Sequence, residues 1–119
     1  MYVDITQLDP QQIYITLTQT VIPRPIAWVL SENANGSLNL APYSFFNAVS
    51  SEPPLVMIST GLKPDGRPKD TRENIEQRRD FLVHIASVAQ LEDLNASSAT
   101  LPAGESEGDH LGLTTVPLA

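Results

Sequence analysis

The chain contains no cysteine. That removes disulfides, thiolate nucleophiles and cysteine-bound metals from the possible chemistry of this sequence. Histidine is nearly as scarce: only His84 and His110 are present, too far apart in sequence to suggest a zinc site. Basic residues are few as well, 7 against 14 acidic, for a net charge of −7. They fall mostly between Lys63 and Arg79, interleaved with Asp and Glu. Nucleic-acid binding needs clustered Lys and Arg to displace counterions from phosphates, so neither a nucleic-acid polymer nor an anionic membrane surface is the expected partner. No apolar run approaches the roughly 18 residues of a membrane span. The opening "MYVDITQLDPQQIYITL" lacks the basic start and apolar core of a signal peptide, so a cytoplasmic protein is expected.

At 119 residues, 41% of them apolar, the sequence fits one globular domain, 1–119, able to bury a single core. Only 18% of residues are charged, so much of the polarity is neutral Ser, Thr, Asn and Gln. "IYITLT" from Ile13 alternates well enough to suggest an edge strand. "PRPIAWVLSE" follows, with Ile26 to Leu30 apolar at every position, which suggests a strand buried on both faces. "ENANGSLN" predicts a hairpin, with Asn35-Gly36 supplying positive φ for a tight turn. "SLNLAPYSFF" is its partner, and Pro42 places an edge, bulge or strand end there. "PPLVMIST" is another wholly apolar strand entered through two prolines.

Asp70 and Glu73 form a capping-box pattern ahead of a helix "TRENIEQRR". "DFLVHIAS" from Asp80 suggests a further strand. Ser87 and Gln90 repeat the capping signature before a helix whose Val88, Leu91 and Leu94 share a face. From Ala99 the Gly, Pro and acidic content marks a mobile loop, in which Glu105, Glu107 and Asp109 are expected to be solvated. A short extended segment from Leu111 then reaches Ala119. Five strands and two short helices point to an antiparallel barrel, and this count leaves it incomplete within the chain.

Two words could carry chemistry. "YSFFNAVSSEPP" mixes flat apolar groups with neutral hydrogen-bonding ones. Core packing with a polar interruption explains it, and composition favours that reading. The alternative is a wall for a heteroaromatic ring such as a flavin, which needs apolar faces with donors and acceptors at its edge. "GRPKDTRENI" gathers Arg67, Lys69 and Thr71 at a helix start, where unpaired N–H groups and the helix dipole favour phosphate. A capped helix beside a solvated loop explains it equally. Arg24, between two prolines, is a pre-set cation that could meet an anion or simply be solvated. His84 reads as a half-buried histidine bonded to a neighbour, and no Ser-His-Asp arrangement stands out.

In succession, "PRPIAWV", "NLAPYSFFNAVSSEPPLVMIS" and "DGRPKDTRENI" resemble the flavin reductase-like family, whose fold is the FMN-binding split barrel and which includes flavoredoxin-like members. The resemblance runs from about Ile22 to "GLTTVP". It implies a mainly β, antiparallel split barrel and an FMN-binding homodimer, with FAD possible in place of FMN. It implies NAD(P)H as electron donor to the flavin. Non-catalytic electron carriage, or survival only as an oligomerisation module, are the alternatives. By similarity, Tyr43, Ser44, Phe45, Phe46 and Asn47 line the flavin ring and ribityl chain. Ser59, Thr60 and Gly61 approach the cofactor, and Lys69, Asp70 and Thr71 serve its phosphate, with Arg67 and Arg24 as further contacts. No catalytic side chain and no metal ligand are expected, because the flavin itself carries the redox chemistry. Family members continue past "GLTTVP" with barrel-closing strands, so the chain is expected to represent the N-terminal portion of the usual domain.

Overall fold

A computed structural model describes residues 2–117. Among these residues, five strands form two antiparallel sheets. β1 (Ala27–Glu32) lies between β2 (Leu38–Tyr43) and β5 (Leu82–His84), while β3 (Phe46–Ser51) pairs only with β4 (Pro54–Ile58). Four α-helices accompany them: α1 (Pro10–Thr20), α2 (Asp70–Arg78), α3 (Leu91–Ala96) and α4 (Glu107–His110).

β1 organises the core through Ala27, Trp28 and Val29, all buried as expected, whereas Ile26, read from sequence as part of the same buried run, precedes the strand and is exposed. Ala27 and Val29 face one side and pack with Tyr43, Ala41, Phe46, Ile58 and Ile75. Trp28 faces the other and packs with Leu40, Leu94, Leu30, Ala86 and Leu113. Alternating side chains are thus buried on both faces, which is why the run never alternates in polarity. Pro42 sits opposite Trp28 on β2, an edge strand of this sheet, where its missing N–H costs no ladder bond. The β1–β2 turn is a Gly36 turn: Gly36 alone in it has positive φ, at 86°, and Asn35 instead accepts from the Ser37 N–H at 3.0 Å. The primed Asn-Gly pair expected there is therefore replaced by a longer loop closed by an Asx-type bond.

The first segment departs furthest from expectation. "IYITLT" is helical, within α1. Asp9 accepts from the Gln12 N–H at 2.8 Å, and Gln12 accepts from the Asp9 N–H at 3.0 Å. Pro10 stands in the first helical turn, where it needs no N–H. The threonines that suggest a strand turn their hydroxyls back on the helix: Thr16 onto Gln12 O and Thr20 onto Thr16 O. Capping outweighs the short alternating pattern.

β3 and β4 form a hairpin across "FNAVSSEPPLVMI", with an irregular register between Ala48 and Ser50. Although the run is wholly apolar, Leu55, Val56 and Met57 are each about half exposed, so β4 is not the doubly buried strand that such a run suggests. Val88 and Leu91 are exposed too, so only Leu94 of their shared face enters the core. The capping box of Ser87 with Gln90 is present, opening a 3-10 turn that leads into α3.

α2 is held by polar contacts, since Ile75 is its only apolar residue. Asn74 donates to Ser31 Oγ at 3.1 Å and to Asn33 Oδ1 at 2.8 Å. Asn39 donates to Thr71 Oγ1 at 2.8 Å, and the Tyr43 hydroxyl donates to the same oxygen at 2.9 Å. This buried network fixes the start of α2 against β2. The cap of α2 differs from expectation. Lys69 occupies the N-cap position, Asp70 is the first helical residue, and the Asp70 carboxylate binds Lys63 Nζ at 2.6 Å instead of capping.

The acidic segment after Ala99 is anchored. Gly104 O accepts from Asn35 Nδ2 at 3.0 Å and from Ser37 Oγ at 2.8 Å, and Ser106 caps α4. Glu107 is buried there rather than solvated, accepting from the Leu40 N–H at 2.9 Å. Leu113–Pro117 form no strand, and Leu118 and Ala119, the end of the expected extended segment, lie outside the described residues.

The radius of gyration is 15.8 Å, against about 13.5 Å for a compact domain of this length. The standing-off β3–β4 hairpin and α1, none of whose residues is buried, account for the excess.

Candidate functional site

The β3–β4 ladder extends one step beyond Phe46 and Ile58, through a bond from the Ser59 N–H to Phe45 O at 2.9 Å, and so holds Ser59 beside the short link between β2 and β3. Three neighbouring hollows with shared lining residues, together the groove, open around this junction. The first, about 410 Å³, is walled by Leu17, Arg24, Phe45, Phe46 and Met57, with Ser44, Asn47 and Ser59 as the polar members. The second, about 370 Å³, shares Ser44, Phe45 and Ser59 and adds Tyr14, Thr60, Gly61 and Lys69. The third, about 100 Å³, shares Tyr43 and Lys69 and reaches Asp70, Thr71, Lys63 and Glu107. The two larger hollows fall within the size range of small-molecule sites, and the first has the mostly apolar wall with a few polar groups that such sites show, while the second is more evenly mixed.

Phe45 is fixed from two sides. The Tyr14 ring lies 5.9 Å from it at 43°, and the Arg24 guanidinium carbon sits 5.7 Å from its centroid. Arg24 in turn donates through Nη1 to Thr18 O at 2.8 Å and to Val21 O, capping the C-terminus of α1. Its Nε is the one buried side-chain polar atom without a partner among the described residues. Gly61 has φ of 61°, a left-handed conformation that suits glycine at the bend between the groove wall and the Lys63 loop.

At the opposite end, Lys69 lies with its ammonium 5.7 Å from the Tyr43 ring centroid. At the start of α2 the Asp70 and Thr71 N–H groups precede the first helical bonds, whereas the Arg72 N–H donates to Lys69 O at 3.0 Å and the Glu73 N–H to the same oxygen at 3.2 Å. Burial pushes the Tyr43 hydroxyl pKa up, with the charges of Asp70 and Glu107 adding to it and the Thr71 bond opposing. Burial likewise pushes the Glu107 carboxyl up; the Leu40 N–H opposes this and the Asp70 charge adds to it.

Of the residues singled out from sequence, Tyr43, Ser44, Phe45, Phe46, Asn47, Ser59, Thr60, Gly61, Lys69, Asp70, Thr71 and Arg24 all line this groove. Arg67 does not: its Nε donates to Asp65 Oδ2 at 2.8 Å, and both side chains are exposed. Thr71 is 1% exposed, and its oxygen accepts from both Asn39 and Tyr43, so its side chain braces the groove floor. Sequence reasoning missed Tyr14 and Leu17 because α1 read as a strand. The Asp9-Pro10-Gln12 capping signal would have found them. It missed Lys63 and Glu107 because charges in loops carry no mark of their folded partners.

Residues 19–118 match the family model described as a flavin reductase like domain. An uncharacterised protein of Halalkalibacterium halodurans is 46% identical over 110 residues, covering 92% of this chain and 53% of its own length. The chain spans about half the length of the curated relatives it matches. Among solved structures, nitrilotriacetate monooxygenase component B from Bacillus cereus superposes with a TM-score of 0.93 at 36% identity. That likeness covers 100% of this chain and 58% of that one. A Shewanella frigidimarina protein with a split barrel domain gives a TM-score of 0.80 at 21% identity, over 100% of this chain and 59% of that one, a likeness of fold. The antiparallel split-barrel architecture expected from the sequence is thus that of its structural neighbours.

Proposed function

The chain belongs to the flavin reductase-like family, and from that premise we propose that its groove binds FMN and serves electron transfer from NAD(P)H to the flavin. One observation carries this reading. Neighbouring hollows set an apolar wall with neutral hydrogen-bonding groups beside the start of α2, where Lys69 stands at the N-cap. Those are the two chemistries that the ring and the phosphate of a flavin mononucleotide require.

The residues present fit such a group. Phe45, Phe46, Met57 and Leu17 offer apolar faces to the ring. Ser44, Asn47 and Ser59 offer donors and acceptors to its polar edge, and Lys69 with the first N–H groups of α2 meets the phosphate. Bound flavin supplies hydride and electron chemistry by itself, so the protein needs no nucleophile. The chain's part is to orient and desolvate. Tyr14 and Arg24 hold the Phe45 ring in place, and the Asn39–Thr71–Tyr43 bonds hold the helix start. Arg24 also brings a positive charge to the ring end, where it would favour a flavin that gains negative charge on reduction.

A homodimer is part of the same proposal. An isolated two-stranded hairpin is marginal in water, and β3–β4 exposes Val49, Leu55, Val56 and Met57. A second copy covering it would bury that surface. Light scattering tests this, with a monomer as the contrary result.

The activity test is oxidation of NADH or NADPH at 340 nm with excess FMN. FMN-dependent consumption above the protein-free rate is expected. FMN binding without any consumption would restrict the site to holding a flavin for another electron donor.

A further inference from the structure

We propose that Asn35 is a deamidation site, gated by the segment from Gly104 to Leu113 that docks on the β1–β2 hairpin. Asn35-Gly36 is the one Asn-Gly pair in the chain; the other asparagines precede Ala, Leu or Ile. Glycine has no Cβ, so its backbone nitrogen can approach the preceding side chain unhindered. Both residues are exposed to water at the tip of the hairpin. In the reaction the Gly36 nitrogen bonds to Asn35 Cγ, and the side-chain nitrogen leaves as ammonia, taking the Gly36 proton. Water then opens the five-membered imide at either carbonyl, giving aspartate or isoaspartate. One water enters and one ammonia departs, with no change of oxidation state.

In the docked state every group that must move is held. Asn35 Nδ2 donates to Gly104 O at 3.0 Å, and Oδ1 accepts from the Ser37 N–H at 3.0 Å. The Ser37 hydroxyl lies 2.7 Å from Asn35 Oδ1 and 2.8 Å from Gly104 O, donating to one of them at a time. The nucleophile is engaged as well, since the Gly36 N–H donates to Asn33 O at 3.0 Å. Contact with Gly104 is close: a Cβ added there would fall 2.8 Å from Asn35 Nδ2, and its φ of 85° suits glycine. Further along the same segment, Glu107 accepts the Leu40 N–H at 2.9 Å and fixes α4 on the edge of β2.

Release of the segment frees Nδ2 and lets the amide turn its Cγ toward the Gly36 nitrogen. Reaction therefore proceeds through the open form, in proportion to its population. The product cannot restore the contact. An aspartate in place of Asn35 has no donor for Gly104 O and sets a carboxylate against that carbonyl. The charged oxygen also draws the Ser37 hydroxyl away from Gly104. Isoaspartate, in addition, lengthens the backbone of the turn by a methylene. Deamidation thus converts a reversible opening of the segment into a lasting one. Glu107 lines the small hollow beside Lys69, so the opening alters that end of the groove.

Peptide-level mass spectrometry of the purified chain, incubated at mildly alkaline pH, tests the proposal through the gain of one mass unit at Asn35. Isomerisation at Asp65-Gly66 changes no mass and does not interfere. A synthetic peptide of sequence ENANGSL gives the ungated rate. In the folded chain Asn35 is expected to react before any other asparagine, at least ~10-fold more slowly than in the peptide. Gly104→Ala, whose added methyl displaces the segment from Asn35, is expected to raise the rate several-fold, with unchanged Trp28 fluorescence showing an intact core. Asn35→Asp is expected to speed hydrogen exchange across residues 104–113 while leaving that of β1 unchanged. Another asparagine reacting first, or a folded chain reacting at the peptide's rate, overturns the proposal. So does a Gly104→Ala rate equal to wild type, or wild-type exchange across 104–113 in Asn35→Asp.

Discussion

Replacing Thr71 by valine removes one oxygen from the centre of the buried polar layer and leaves the side-chain shape nearly unchanged. Thr71 is 1% exposed, Asn39 5% and Tyr43 6%, so neither hydrogen-bond donor reaches water when its acceptor disappears. The Tyr43 hydroxyl loses its bond of 2.9 Å, and Asn39 Nδ2 keeps only a long contact to Ser31 Oγ at 3.3 Å. A buried donor left unmade costs about 1–3 kcal/mol. With Asn39 partly compensated, the sum is about 2–4 kcal/mol, a large part of the ~5–15 kcal/mol that holds a domain folded. Urea unfolding followed by Trp28 fluorescence reads this directly, and a fall in Tm of roughly 8–16 °C is the thermal equivalent. Thr71→Ser keeps the oxygen and loses one methyl group, so it is expected to cost only ~1 kcal/mol. The reasoning fails if Thr71→Val stays within about 0.5 kcal/mol of wild type. Intact stability with weakened FMN binding would instead return Thr71 to the direct phosphate role that its sequence position suggests.

Two further outcomes follow from the same geometry. Lys69→Ala is expected to weaken FMN ~10-fold while leaving riboflavin unaffected, because only FMN carries the phosphate; equal losses for both flavins in fluorescence titrations would place Lys69 elsewhere. Glu107 carries a pH signature. Its folded pKa lies above the ordinary value of 4.5, so its favourable contribution is present below 4.5 and is lost as pH rises through the folded value. Glu107→Gln should therefore gain stability relative to wild type as pH rises from about 4.5 to 8, and urea midpoints that run parallel across that range would contradict the assignment.

Much of the groove was legible in sequence because its wall is local. Tyr43 to Asn47 are consecutive, and Ser59 to Gly61 follow the next apolar run, so joining two strand ends assembles most of the lining. The double burial of β1 was legible for a similar reason, since an unbroken apolar run has no polar face to offer. Partners distant in sequence were not. Glu107 looks like one acid among several until α4 packs on the edge of β2 and presents it to Leu40. Asp70 looks like an N-cap until the preceding loop brings Lys63 within 2.6 Å. Thr71 looks like a phosphate ligand until Asn39 and Tyr43 both claim its oxygen. In α1 the local signals conflicted: "IYITLT" alternates over six residues, yet Asp9, Pro10 and Gln12 set the backbone before that pattern begins. The apolar run of β4 raises no conflict in sequence, and its half-exposure arises because the hairpin has no facing layer within the described residues.

The most direct test of the account is an equilibrium titration of the purified chain with FMN, followed by flavin fluorescence and visible absorbance. A saturable change approaching one flavin per chain, with a perturbed visible band from a ring held against Phe45 and Phe46, is the predicted result. A linear response with free-flavin spectra up to millimolar FMN would contradict the central claim that this groove is a flavin site.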